Sequence, residues 1–162
     1  MEEIKLIPMS RELCHEFYRG FENDPDIFMD MDKFYEFQYE PQWVDNYFDR
    51  QAARGRILFA VMLEGSPIGE VKLWDIDRDK KECKLGIHMQ NDAVKGRGFG
   101  TRAEQLAVEY AFRELELDRV LADAILKNIR SQHVLQKAGF RFLRQDGDFR
   151  WYCCDKQTDE KA

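Results

Sequence analysis

Lys95-Gly-Arg-Gly-Phe-Gly-Thr101 is the stretch of this 162-residue chain on which the fold turns. Downstream of it, Ala103, Leu106, Ala107, Tyr110, Ala111 and Leu115 recur at helical spacing, which predicts a long amphipathic helix with that face toward a core. Upstream, Cys83, Leu85, Ile87 and Met89 alternate with Glu82, Lys84, Gly86 and His88. That period of two predicts a strand with one apolar face and one face carrying every ionisable group, a candidate working surface. The glycines thus lie in a turn that leaves a strand region and enters a helix. Without side chains the backbone N–H groups of such a turn can close on an anion. The helix dipole adds partial positive charge, and Lys95 and Arg97 supply whole charges. A diphosphate suits this chemistry. The spacing is not G-x-G-x-x-G, because Thr101 follows Gly100 and the fourth strand leads in. No Gly-Lys-Ser/Thr closes the turn either, which excludes a Walker A loop.

Working outward, Ile4 to Pro8 reads as a first strand, and Ser10 caps a helix carrying Leu13, Phe17 and Phe21, with Gly20 near its end. Pro41 takes the first position of a second helix that Gly55 stops. Ile57 to Leu63 is a continuous apolar strand, Glu64-Gly65-Ser66-Pro67 a turn, and Ile68 to Ile76 a strand returning beside it. Beyond the long helix, Val120 to Leu126 reads as a strand, Ile129 to Ala138 as a helix stopped by Gly139, and Phe140 to Arg144 with Phe149 to Cys154 as a hairpin around Asp146-Gly147. The order β-α-α-β-β-β-α-β-α-β-β describes one α/β domain with a mixed sheet over residues 1–154, followed by a polar tail, 155–162, expected to fray.

The length is that of one domain, and 44% hydrophobic residues with 10 Gly and 4 Pro exclude collagen-like, disordered and low-complexity classes. Lys plus Arg total 25 against 31 Asp plus Glu, a formal charge of −6, so no overall attraction to nucleic acid or anionic membranes is expected. The charge is uneven. Residues 22–49 hold nine acids and one base, together with eight of the chain's aromatic residues. The N-terminus has no basic region followed by an apolar core, and the longest apolar run, Ile57 to Leu63, is far too short to span a bilayer, so a cytoplasmic location is expected. Cys14, Cys83, Cys153 and Cys154 lack paired C-x-x-C spacing and read as free thiols; no metal site is expected.

Lys95-Gly-Arg-Gly-Phe-Gly100 resembles the Q/R-x-x-G-x-G/A pyrophosphate-binding signature of the GNAT N-acetyltransferases, with Lys95 where that family usually has Gln or Arg. Asn128-Ile-Arg-Ser-Gln-His-Val-Leu-Gln-Lys-Ala-Gly-Phe140 resembles the exit of the fifth strand and the fourth helix of the same superfamily. Asn-x-x-Ser followed by Val-Leu-x-Lys-x-Gly-Phe is most similar to the ribosomal-protein N-terminal acetyltransferase subgroup. The resemblance implies a mostly antiparallel sheet of about seven strands, with strands four and five splayed to admit acetyl-CoA. By position, His88, Met89 and Gln90 would hold the acetyl and pantetheine groups. Lys95, Gly96, Arg97, Gly98, Phe99, Gly100 and Thr101 would cradle the pyrophosphate, and Asn128 and Ser131 would reach the pantetheine and thioester.

Direct transfer to an amine needs a base for the ammonium proton and an acid for the departing thiolate. The position that often carries the family's base is Lys84 here, a departure that leaves His88 and Glu82 as candidates, with Glu70 on the neighbouring strand behind them. His88 is favoured because an imidazole titrates near ~6.5. Many relatives carry Tyr seven residues after the Asn; here that position is Leu135, which leaves Ser131 as the candidate acid, with capping of the fourth helix as its alternative role. His15 and His133 read as surface or helix-packing residues.

Relatives receive their acceptor near the connection of the first two helices, which in this chain is the acidic, aromatic segment. Asp30, Asp32, Tyr35 and Tyr39 are accordingly expected to bind a cationic primary amine, of a small molecule or a peptide N-terminus. The partners expected are that amine and acetyl-CoA, in a monomer or homodimer. The alternatives are a non-catalytic acetyl-CoA-binding or regulatory module, motivated by Lys84 and Leu135, and a protein-interaction domain using the acidic loop.

Overall fold

The computed structural model describes residues 3–157. Its elements follow the expected order: β1 (Ile4–Pro8), α1 (Arg11–Arg19), α2 (Pro41–Ala53), β2 (Ile57–Leu63), β3 (Ser66–Asp77), β4 (Glu82–Met89), α3 (Phe99–Arg113), β5 (Arg119–Ile125), α4 (Ile129–Lys137), β6 (Arg141–Asp146) and β7 (Phe149–Asp155). Single 3-10 turns occupy Pro25–Ile27, Met31–Lys33 and Asp92–Val94. Ser10 caps α1 by accepting from the Leu13 N–H at 3.1 Å, and Pro41 begins α2 where its missing N–H costs nothing.

The seven strands form one sheet in the order β1-β2-β3-β4-β5-β7-β6. All neighbours are antiparallel except β4 and β5. One sheet face is covered by α3 and α4. The fully buried Ala103, Ala107 and Ala111 let α3 lie close over Val71, Leu73, Leu85 and Val120. The other face is covered by α1 and α2, which bury Cys14, Phe17, Val44 and Tyr47 against Ala60. Complete burial of a side chain such as Phe17 contributes on the order of 1.5–3 kcal/mol relative to exposure.

The parallel pair is short. β4 and β5 match from Glu82 with Arg119 to Leu85 with Ala122 and then part. β4 stays paired to β3 through Met89, and β5 stays paired to β7 through Ile125. Each strand is therefore held from outside while the inner edges of Gly86–Met89 and Asp123–Ile125 face an opening, as the resemblance implied.

Three local readings need correction. The final hairpin closes at Asp146 with Phe149, so its two-residue loop is Gly147-Asp148, with Gly147 at φ +60°, one position later than the sequence reading. The cap of α4 is Asn128, whose Oδ1 accepts the Ser131 N–H at 3.0 Å, and Ser131 lies inside the helix. Finally, β7 runs through Asp155, whose carboxylate pairs with Arg119 and Arg141, one residue beyond the strand end read from the sequence at Cys154. Of the expected tail, residues 158–162 lie outside the described residues. Cys14, Cys83, Cys153 and Cys154 are all free thiols, and burial pushes Cys14 and Cys83 up to about 12. Among the described residues no helix is long and apolar enough to cross a membrane.

Candidate active site

The opening between β4 and β5 continues as a trough of three adjoining cavities. The first, about 310 Å³, is lined by Glu70, Lys72, His88, Glu104, Asp123 and Asn128 among others. A narrower passage of about 110 Å³ shares His88, Glu104, Asn128 and Ser131 with it and adds Met89, Lys95 and Arg130. The third, about 420 Å³, lies over the glycine turn between Gly96–Thr101 and α4, and gathers Lys95, Arg130, His133 and Lys137.

At that far end Gly96 and Gly98 take φ values of +72° and +84°, left-handed conformations that glycine adopts without penalty. Gly98 caps α3, and the first helical bond runs from the Arg102 N–H to the Gly98 oxygen. The N–H groups of Phe99, Gly100 and Thr101 therefore have no partner within the helix and face the turn at its positive end. A Cβ added at Gly100 would stand 3.7 Å from Val134, so α3 and α4 flank the site closely. Unbonded amides, the helix terminus and the basic side chains of α4 together fit a pyrophosphate-bearing cofactor.

The basic residues differ from expectation. Arg97 stacks over Phe99 at 4.8 Å and lines a groove on the opposite side of α3, beside β1. The basic side chains at this cavity come instead from Arg130 and Lys137. Lys95 does border the cavity, but its ammonium already meets Asp24 at 3.1 Å and Asp92 at 3.2 Å. Gln90 is engaged elsewhere: its N–H donates to Ile68, its carbonyl accepts from Glu22, and its side chain donates to the Phe17 carbonyl. It ties the end of α1 to β4 and is not among the trough residues; Met89, Gly98, Gly100, Thr101, Asn128 and Ser131 are.

At the near end His88 stands directly opposite Glu70 in the β3–β4 register. Its ring is open to the cavity on one side and meets Phe21 edge-on at 5.9 Å on another. The protein around it, with Lys72 and Lys95, lowers its pKa to about 4, so the imidazole is neutral at neutral pH. Glu70 is 2% exposed. Its Oε1 accepts hydrogen bonds from Tyr18 at 2.8 Å and Tyr47 at 2.7 Å, while Oε2 has no partner. Burial raises the Glu70 pKa above the usual carboxylate range, and the two hydroxyls and Lys72 oppose that shift. Much of the aromatic content of the acidic segment serves this carboxylate, since Phe37 and Trp43 pack on Tyr18, and Trp43 stacks on Tyr47 at 5.3 Å.

Glu82 is not brought to the site. It sits at the closed end of β4, six residues and about 20 Å from His88. Lys84 also points away: its ammonium pairs with Asp75 at 2.8 Å and lies 4.9 Å and 5.3 Å from the rings of Trp74 and Trp151.

The expected acceptor residues do not converge on the trough. Asp30 is occupied in capping a 3-10 turn, accepting the Asp32 N–H; Asp32 and Tyr35 are exposed. The Tyr39 hydroxyl meets His15 at 2.7 Å, and His15 meets Asp45 at 2.8 Å, on the outer side of α1 and α2. The segment reaches the cleft through its first residues instead: Glu22, Asp24 and Ile27 line the passage. Lys127 fastens that part of the chain, donating to the carbonyls of Pro25 and Phe28 at 3.2 Å each.

Residues 3–141 match the family described as Acetyltransferase (GNAT) domain, and the chain belongs to that family. It is 40% identical over 73 residues to the probable N-acetyltransferase YjcK of Bacillus subtilis (strain 168), covering 45% of this chain and 40% of that protein. It is 30% identical over 100 residues to the putative ribosomal N-acetyltransferase YdaF of the same organism, covering 62% and 52%. The matches thus span about half the length of these relatives, or less. Among solved structures, spermidine N-acetyltransferase from Vibrio cholerae in complex with CoA and spermine aligns with a TM-score of 0.76 and 16% identity, covering 94% of this chain and 95% of that one. At that identity the likeness is one of fold.

Proposed function

We propose that the protein is an acetyl-CoA-dependent N-acetyltransferase that transfers the acetyl group directly to a primary amine. The observation that carries this reading is the continuity of the trough, from the unbonded amides at the start of α3 to the Glu70–His88 pair at the β4/β5 opening. Acetyl-CoA bound there supplies an activated acyl group. The N–H groups at Phe99, Gly100 and Thr101, with Arg130 and Lys137, hold its pyrophosphate, and the free inner edge of β4 offers main-chain partners along the pantetheine.

His88, neutral and open to the cavity, accepts the proton that the amine sheds as its nitrogen is acylated. The unpartnered Oε2 of Glu70 offers a second acceptor in the same cavity. The acceptor is a cationic amine, entering past Glu22 and Asp123, whose carboxylates border the trough. The similarity to YdaF, a putative ribosomal N-acetyltransferase, supports a ribosomal amine as one acceptor, and the fold shared with a spermine complex supports a polyamine.

Thiol release from acetyl-CoA across polyamines, aminoglycosides and basic peptides tests the reading. Amine-dependent release with a Michaelis constant that rises with salt is expected. Cofactor binding without release for every amine class would identify a non-catalytic module.

A further inference from the structure

Helix α3 carries a carboxylic acid where its pattern asks for an apolar side chain. Positions 104, 107, 108 and 111 form one buried stripe, and Glu104 heads it at 1% exposed. Its Oε1 has no hydrogen-bond partner. Burial alone pushes its pKa up to about 8, so the group is a neutral carboxylic acid at neutral pH. An apolar side chain of similar volume would fill the position without that penalty, so packing does not account for the glutamate. Glu104 lines both the cavity at the β4/β5 opening and the passage toward the glycine turn, with His88, Asn128 and Ser131 in each. Leu135, where the family resemblance implies a tyrosine in many relatives, lines the first of these cavities and is fully buried.

We propose that the Glu104 carboxyl donates a proton to the thiolate released during acetyl transfer, in the place that Leu135 leaves without a donor; this rests on the acetyltransferase reading above. The acceptor nitrogen forms a bond to the acetyl carbon, the carbon–sulfur bond breaks with its electron pair on sulfur, and the sulfur takes the Glu104 proton. The products are an amide, a free thiol and the Glu104 carboxylate. The proton shed by nitrogen passes to His88 and then to water, and the carboxylate takes a proton back from water in the open cavity. An ordinary thiol titrates near ~8.5, close to the buried carboxyl, so this transfer is nearly balanced in energy.

Glu104→Gln keeps the volume and removes the acidic proton. With acetyl-CoA its turnover should fall by ~10² or more, whereas with an acetyl thioester of an acidic aromatic thiol it should stay within a few-fold of wild type. Equal loss on both thioesters, or no loss on acetyl-CoA, overturns the proposal. Infrared difference spectra of the unliganded protein, wild type minus variant, should show a protonated carboxyl that titrates at about 8; an ionised carboxylate at neutral pH overturns it. If the variant does not fold, the wild type decides. Its rate should depend weakly on leaving-thiol acidity below that titration and steeply above it, and a steep dependence throughout is contradictory. A wild type that releases no thiol with any amine refutes the acetyltransferase reading and the proposal together. An active wild type matched by its variant refutes the proposal alone.

Discussion

Glu70 and His88 are cross-strand partners on β3 and β4, and both open into the cavity formed where β4 leaves β5. The carboxylate is fixed from behind by two tyrosine hydroxyls, and the imidazole lies nearer the solvent. In the proposed mechanism a proton taken up by His88 would arrive beside a rigid acceptor, and the pairing is set by strand register, which a one-residue slip would destroy.

His88→Gln should lower turnover by ~10²–10⁴ while leaving cofactor affinity within a few-fold. Because the imidazole pKa is lowered from 6.5 to about 4, the accepting form persists into acid, and the acid limb of the wild-type rate should fall near 4 instead of 6.5. Stability carries the opposite cost. Between those values the unfolded chain binds a proton that the folded chain refuses, so stability falls as pH drops through that window. A pH–rate profile beside a pH–stability profile checks both.

Tyr47→Phe removes one of two donors to the buried Glu70 carboxylate and should cost about 1–3 kcal/mol at neutral pH in denaturant unfolding. The hydroxyl opposes the burial-driven rise of the Glu70 pKa, so its loss raises that pKa further. A carboxyl with a raised folded pKa loses stability as pH climbs above its unfolded value, here 4.5. The variant should accordingly lie closer to wild type at acid pH than at neutral pH. An equal deficit at both would show that Glu70 is not ionising against its burial.

Gly98→Ala places a side chain at φ +84°, a strain of about 1–2 kcal/mol, although a Cβ there meets no atom within 4 Å. The fold should survive with a modest fall in melting temperature. Coenzyme A affinity, measured by calorimetry, should drop by about tenfold or more as the turn relaxes and its amides swing away. Unchanged affinity would remove the turn from the cofactor site.

Asp24→Asn removes one of the two carboxylates that hold Lys95, in a pair whose side chains are 11% and 26% exposed. A pair of this kind contributes about 1 kcal/mol, so coenzyme A should bind roughly fivefold more tightly to the variant at low salt. The difference should shrink as salt rises. Weaker binding would mean that Asp24 organises the cradle instead of competing for it.

The fold was legible because its signals are local: alternation marks β4, the glycines mark the entry to α3, and Ser10 and Pro41 mark helix starts. At the proposed cofactor end the backbone turn was legible but the placement of the charges was not. Arg97 and Lys95 are adjacent to the glycines in sequence, yet a turn with two left-handed glycines sends Arg97 to the β1 side, and the basic lining comes from Arg130 and Lys137 on α4. The expected acceptor residues do not line the trough, because carboxylates were read by density. Asp30 serves a local turn, and the Tyr39 hydroxyl meets His15.

Two buried acids had a readable signature of a different kind. Glu70 is the one charged residue in the buried run from Pro67 to Val71, and Glu104 interrupts the apolar stripe of α3. A lone carboxylate inside an otherwise apolar face is a costly choice, and both open into the trough.

Acetyl transfer at the β4/β5 opening is tested most directly by following an isotopic label from the acetyl group of acetyl-CoA. With a polyamine or basic peptide as acceptor, label should appear on the amine nitrogen as an amide, in proportion to free thiol, and His88→Gln should suppress both together. Label that stays on the coenzyme, or reaches only acetate at a rate indifferent to amine, contradicts it.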